Sequence, residues 1–160
     1  MTSEAGQQQS ISVATPVRTG GAYALLFYLA QPVDLEVGRL GRFSFPAGCY
    51  LYLGSAMGGL KARLGRHLEG PKRLHWHVDY LARQADLVEV WWRPGNEREE
   101  CSWASLALAS PDARLLVPGF GSSDCRCASH LAYFPKRPTV EILESEGIST
   151  LKIGDLVHIQ

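Results

Sequence analysis

With 160 residues, 46% of them hydrophobic and 20% charged, the chain can bury one core of its own and is short for two domains. No apolar run approaches the ~20 residues that span a bilayer, and heptads, collagen repeats and low-complexity tracts are missing, so a soluble cytoplasmic domain is expected. Sixteen basic and sixteen acidic side chains cancel, which argues against a uniformly basic nucleic-acid binder.

Residues 1–20 are polar, rich in Gln, Ser and Thr, and are predicted to be a disordered leader. The apolar stretch 22–30 lies behind Arg18 but starts late and is followed by Gln31-Pro32 instead of a small-residue cleavage site. It is therefore expected to be a buried strand, not a signal segment. Two further strands are predicted, one at 40–45 behind a turn around Gly38 and one at 49–54 behind Pro46-Ala47-Gly48. Leu60, Leu64 and Leu68 repeat at helical spacing, which predicts a helix over 59–68 ended by Gly70-Pro71.

A second helix is expected over 75–84. A Val- and Trp-rich strand follows at 87–92, and Asn96 is placed to cap a helix reaching about residue 109. After a turn-rich stretch, 118–124, comes a strand at 130–134. Residues 136–160 are a C-terminal extension whose β-like pieces, 139–143 and 156–159, could add to a sheet edge. This order predicts an α+β fold over 21–135, a small antiparallel sheet flanked by helices.

Chemistry concentrates at a few positions. Tyr23 opens the first strand and Tyr52 lies near the end of a later one. A lone strand tyrosine is usually a packing residue, but here Gly54 permits a tight turn and Gly58-Gly59 leads into a helix whose first amides could face an anion. Residues advance about 100° each on that helix, so Arg63 and His67 sit at the edge of the leucine stripe and face the domain, while Arg66 points to solvent. A guanidinium with no carboxylate partner nearby in sequence suits a phosphate, though an arginine stem covering apolar surface reads the same. From Lys61 to Arg83 there are six basic residues against two acidic ones, a local excess of four that fits either a phosphate backbone or a solvated helix face.

On the helix after Asn96, Glu100 falls among Cys101, Trp103, Ala104, Ala107 and Leu108. A carboxylate on an apolar stripe costs several kcal/mol unless it is paired or metal-bound, so a salt bridge or a metal role is expected. His75 and Asp79 share a helical face as a structural pair, with Trp76 and Tyr80 packing inward. Cys125, Cys127 and His130, with Cys101, could form a zinc site, but C-x-C lacks the usual two-to-four-residue gap; buried core thiols, and no disulfides, are the expectation.

Gly21-Ala22-Tyr23, Tyr52-Leu53-Gly54, Arg63-x-x-x-His67 and Glu100 together resemble the GIY-YIG nuclease superfamily. The stretches YLYLGSAMGGLKARLGRHL (50–68), HWHVDYL (75–81), Glu100-Cys101 and GFGSSDCRCASHLAYF (119–134) resemble its uncharacterised prokaryotic Uri-type branch, sometimes fused to an endonuclease III-like glycosylase. The similarity covers residues 21–135. It implies an endonuclease that hydrolyses phosphodiester bonds in DNA, structured or damaged, in settings such as repair or mobile elements, with a partner or fused repair protein for targeting. Tyr23 would activate water, Tyr52 would orient water or phosphate, Arg63 would neutralise the scissile phosphate, His67 would assist proton transfer or phosphate binding, and Glu100 would hold one Mg²⁺ or Mn²⁺. Gly54, Ser55, Lys61, Arg66, Lys72, Arg73, His75 and His77 would contact substrate. Ala22 and Leu53 stand where the motif has isoleucines, and the loop from Gly54 to Arg63 is one residue longer than common. A non-catalytic nucleic-acid-binding module and a zinc-stabilised interaction domain are the competing readings.

Overall fold

The structure, a computed structural model, describes residues 19–154. Most of the expected leader and the 156–159 piece lie outside the described residues.

Side chains on a strand alternate between faces, and in the central strand β1 (Gly21–Leu29) both faces are apolar. Tyr23, Leu25 and Phe27 join one buried cluster, and Ala22, Ala24 and Leu26 the other. This two-sided burial explains the nearly continuous apolar run. β1 pairs antiparallel with β4 (Gly48–Ser55) and with β5 (Asp86–Pro94). β6 (Leu131–Phe134) adds to β4 and β7 (Ser149–Lys152) to β5, giving the order β6-β4-β1-β5-β7. A separate antiparallel ribbon joins β2 (Val33–Glu36) and β3 (Arg42–Phe45).

The two faces are covered by different elements. Helices α1 (Leu60–Glu69) and α2 (His77–Ala82) lay Leu60, Leu64, Val78 and Leu81 on the Tyr23 face. Helix α3 (Glu100–Ala109) lays Trp103, Ala104 and Ala107 on the other, where Leu143 joins them. Each fully buried leucine on these faces stabilises the fold by roughly 1.5–3 kcal/mol relative to exposure. The architecture is the expected α+β one, an antiparallel sheet between helices.

Several local expectations are corrected. β2 was not anticipated, because it is a half-exposed edge ribbon carrying Asp34 and Glu36 behind Pro32. The segment 38–40 is a 3-10 turn, and strand structure resumes at Arg42. α2 starts at His77, two residues late, because the Asp79 carboxylate accepts hydrogen bonds from the backbone N–H groups of His75 and Trp76, both at 2.8 Å. His75 therefore meets Asp79 through its backbone and not as a side-chain pair on a helix. Val140–Leu143, expected as β, is a 3-10 turn that delivers Leu143 to the α3 face. Among the described residues no helix is long and apolar enough to cross a membrane.

Candidate functional site

The pairing of β1 with β4 puts Tyr23 opposite Gly54 and Leu25 opposite Tyr52, so both tyrosines rise on the same face, ring centroids 6.3 Å apart. They border a cleft of about 470 Å³ that is also lined by Ser55, Arg63, Trp76, Arg98, Glu100, Asp124 and His130. Gly54 serves this site differently from the expected tight turn: it lies within β4, and a Cβ there would come within 2.6 Å of the Tyr23 ring. The missing side chain is what admits the ring.

Behind the cleft, Tyr23 Oη lies 3.0 Å from His67 Nε2. Burial, followed by the positive Arg66 and Arg63, pushes His67 down to about 4, so the imidazole is neutral at pH 7. Burial also pushes the Tyr23 phenol up, against the pull of the Arg63 guanidinium. We assign the shared proton to the phenol, with Nε2 accepting. The lone pairs of Tyr23 Oη are then left for the cleft. Burial pushes Tyr52 up in the same way, so it too is a neutral phenol.

Arg63 donates to the Ser55 carbonyl at 3.3 Å and stacks over Trp76, 4.6 Å from the ring centroid. Among the described residues no carboxylate lies within ion-pair distance of it. Arg66 corrects the expectation of a solvent-pointing side chain. It grips the buried Asp79 carboxylate with two 3.0 Å hydrogen bonds and stacks over Trp76, 4.1 Å from the ring centroid. Burial works against the Asp79 charge, but Arg66 and two backbone N–H groups outweigh it and hold the carboxyl below its usual range. Helical phase alone could not reveal this, because Asp79 comes from another helix.

Glu100 and its neighbour divide sharply. Glu99 is paired with Arg93, whereas Glu100 faces the cleft at the first turn of α3, where Ser55 Oγ–H donates to its Oε1 at 2.7 Å. Arg98 approaches its other oxygen at 3.9 Å from a side chain that is 70% exposed, a weak surface contact. Glu100 is thus held but not neutralised, at the end of the apolar face and not in its middle.

Other candidates are dispersed. Lys72, Arg73 and His75 border a shallow depression with Arg66 and Glu69, and Lys61 lies beside Arg66 on a neighbouring one. His77 is already engaged through one ring nitrogen: its Nδ1 accepts the Gly121 N–H at 2.8 Å, tying α2 to the loop before β6. The first amide of α1, expected to face an anion, is bonded at 2.7 Å to the Thr19 carbonyl.

The cysteines correct the expectation of core thiols. Only Cys49 is buried; Cys101, Cys125 and Cys127 are partly exposed and meet His130. The four ligand atoms lie within 4.8 Å of one another, a group able to hold a metal ion. Hydrogen bonding to Cys127, then burial, pushes the Cys101 thiol up to about 12. The C-x-C gap looked wrong because its partner, Cys101, is supplied by α3 from far upstream. Three cysteines and a histidine within 30 residues were the only sequence signal.

Searches of curated proteins and of solved structures gave no match to the chain. A family model described as a domain of unknown function, DUF123, matches residues 22–152, which take in every strand of the described sheet but for Gly21 of β1, the three described α-helices and every residue of the cleft. By that match the chain belongs to the DUF123 family.

Proposed function

We propose that the chain is a GIY-YIG-type endonuclease that hydrolyses phosphodiester bonds in DNA with Mg²⁺ or Mn²⁺, in a reducing cytoplasm. The observation that carries this reading is the convergence of Tyr23, Tyr52, Arg63 and Glu100 on one open cleft, with no carboxylate among the described residues at ion-pair distance from Arg63 and Glu100 short of a full counter-charge. Such an arrangement has room for an anion beside the guanidinium and a cation beside the carboxylate. A single carboxylate in an open cleft fits a hard cation that keeps several waters, so Glu100 would hold the metal. When bound, that metal would supply charge stabilisation at the phosphodiester.

The chain's own groups divide the remaining work. Arg63, pre-positioned by the Ser55 carbonyl and Trp76, would bind the scissile phosphate through two parallel hydrogen bonds. Tyr23 Oη, its proton directed to His67, would accept a hydrogen bond from the attacking water and aim it. With His67 pushed to about 4, the pair is a poor proton store at neutral pH and acts chiefly by orientation. Tyr52 would donate to a non-bridging phosphate oxygen, and Ser55 fixes the Glu100 carboxylate. The basic depression at Lys72, Arg73 and His75 would hold the backbone further along the strand.

The test is nicking of supercoiled and branched DNA with Mg²⁺ or Mn²⁺. Cleavage should fall to a small residual level in Tyr23→Phe, Arg63→Ala and Glu100→Gln while thermal unfolding stays cooperative. DNA binding that persists in EDTA, with no cleavage of any substrate, would instead make the domain a binding module.

A further inference from the structure

Cys101 stands in the first turn of α3, Cys125 and Cys127 on the loop that follows Gly121, and His130 immediately before β6. Two separate segments thus bring three thiols and one imidazole to one place. His130 Nε2 lies 3.4 Å from Cys125 Sγ and 3.7 Å from Cys101 Sγ, and no pair of ligand atoms exceeds 4.8 Å. Around a tetrahedral zinc ion, with Zn–S about 2.3 Å and Zn–N about 2.0–2.1 Å, neighbouring ligand atoms sit roughly 3.3–3.8 Å apart. The closest pairs already have that separation, and the widest need close by only about 1 Å.

We propose that Cys101, Cys125, Cys127 and His130 bind one Zn²⁺ as a closed structural site that fixes the first turn of α3, and with it Glu100, against the cleft. Soft thiolate donors select zinc over the hard cation suited to Glu100, and four protein ligands leave no open position for substrate. Binding forms three Zn–S bonds and one Zn–N bond, releases the three thiol protons to solvent, and changes no oxidation state. His130 is oriented for the task by its backbone, whose N–H donates to the Phe120 carbonyl at 2.7 Å and whose carbonyl accepts from Leu53 at 3.0 Å. The loop is pinned at Gly119, whose N–H donates to Ala128 at 2.7 Å, and at Gly121 through His77. Cys49 supplies the internal contrast: 5% exposed, packed among apolar side chains, it is what a core thiol of this chain looks like.

The site itself stands independently of the nuclease reading; only the consequence for Glu100 rests on it. The experiment measures metal content of the full chain purified without chelator, followed by replacement of zinc with Co²⁺. A single zinc per chain is expected, with the intense visible bands of tetrahedral cobalt–thiolate after replacement. Cys127→Ser and His130→Ala should weaken binding by more than the ~10–100-fold typical of losing an outer-shell partner. Cys49→Ser and Glu100→Gln should keep the metal. Should Cys127→Ser fail to fold, Co²⁺ titration of the unsubstituted chain still decides. A wild-type chain that stays metal-free after zinc exposure and shows no cobalt–thiolate bands overturns the site, as does iron or copper in place of zinc, or equal zinc retention in Cys127→Ser and His130→Ala. Cleavage undiminished after zinc is stripped overturns the coupling to Glu100, whereas bound zinc without any cleavage leaves the site standing and counts against the nuclease alone.

Discussion

On the helical wall of the cleft, the Asp79 carboxylate takes two hydrogen bonds from Arg66 and two from backbone N–H groups, Trp76 lies against both Arg63 and Arg66, and Tyr23 leans on His67. On the opposite wall, Glu100 has one hydroxyl donor, and three thiols crowd one imidazole. The first wall satisfies its polar groups internally, so it is pre-formed and its sensitivity is to pH. The second directs acidic and soft donors toward one another and into the cleft, so its sensitivity is to cations. On the proposed reading, one wall would receive the phosphate and the other would carry the positive ions.

The comparison predicts different failures on the two walls. Glu100→Gln, on the cation wall, should lower the nicking rate by ~10²–10³-fold, as should Arg63→Ala opposite, with melting midpoints little changed. Comparable residual cleavage in Glu100→Gln would show that the carboxylate is not part of the chemistry. On the helical wall, Asp79→Asn should cost about 2 kcal/mol in urea unfolding at pH 7, less than the ~3–5 kcal/mol of a sealed ion pair because Arg66 is 31% exposed.

The same wall should be acid-labile. The folded-state pKa of His67 is lowered to about 4 from an ordinary 6.5, so the unfolded chain binds this proton first. Its contribution is full above about 6.5 and is lost as pH falls toward 4, on the order of 2–3 kcal/mol. Asp79, also lowered, adds to the loss at still lower pH. His67→Gln should flatten the dependence of stability on pH between 6.5 and 4; an unchanged slope would mean that the histidine is not held neutral. Gly54→Ala should cost about 1–3 kcal/mol through collision with the Tyr23 ring, and a Tyr23→Phe background should recover part of it, read by a double-mutant cycle in thermal melts. The smallest effects belong to Lys72→Ala and Arg73→Ala. Each should leave the cleavage rate within about threefold and reduce the slope of log binding constant against log salt by ~1, because on the proposed reading they would meet only backbone phosphate.

Much of the framework was legible because its signals are local. β1 and β4 announce themselves by nearly continuous apolar runs, β5 by its Val and Trp content, and α1 by the spacing of Leu60, Leu64 and Leu68. β2 escaped notice because one of its faces is wet and acidic, and the start of α2 because a carboxylate inside the helix, not a residue ahead of it, satisfies the leading amides. The 3-10 turn at Val140–Leu143 has a β-branched composition that suits a strand, yet as a turn it packs Val140, Ile142 and Leu143 against the α3 face.

What the sequence determined by itself was the periodicity of burial, and with it the sheet, the inward phase of Arg63 and His67, and the residue types able to handle phosphate and metal. Tertiary structure alone decided the pairings. Gly54 is needed because β1 lays a tyrosine ring over it, Arg66 is occupied because α2 presents Asp79, and Cys101 joins Cys125, Cys127 and His130 because the first turn of α3 and the loop before β6 meet at the same corner. Periodicity tells a side chain which way to face along its own element; which group it meets there depends on elements tens of residues away, and no local pattern encodes that distance.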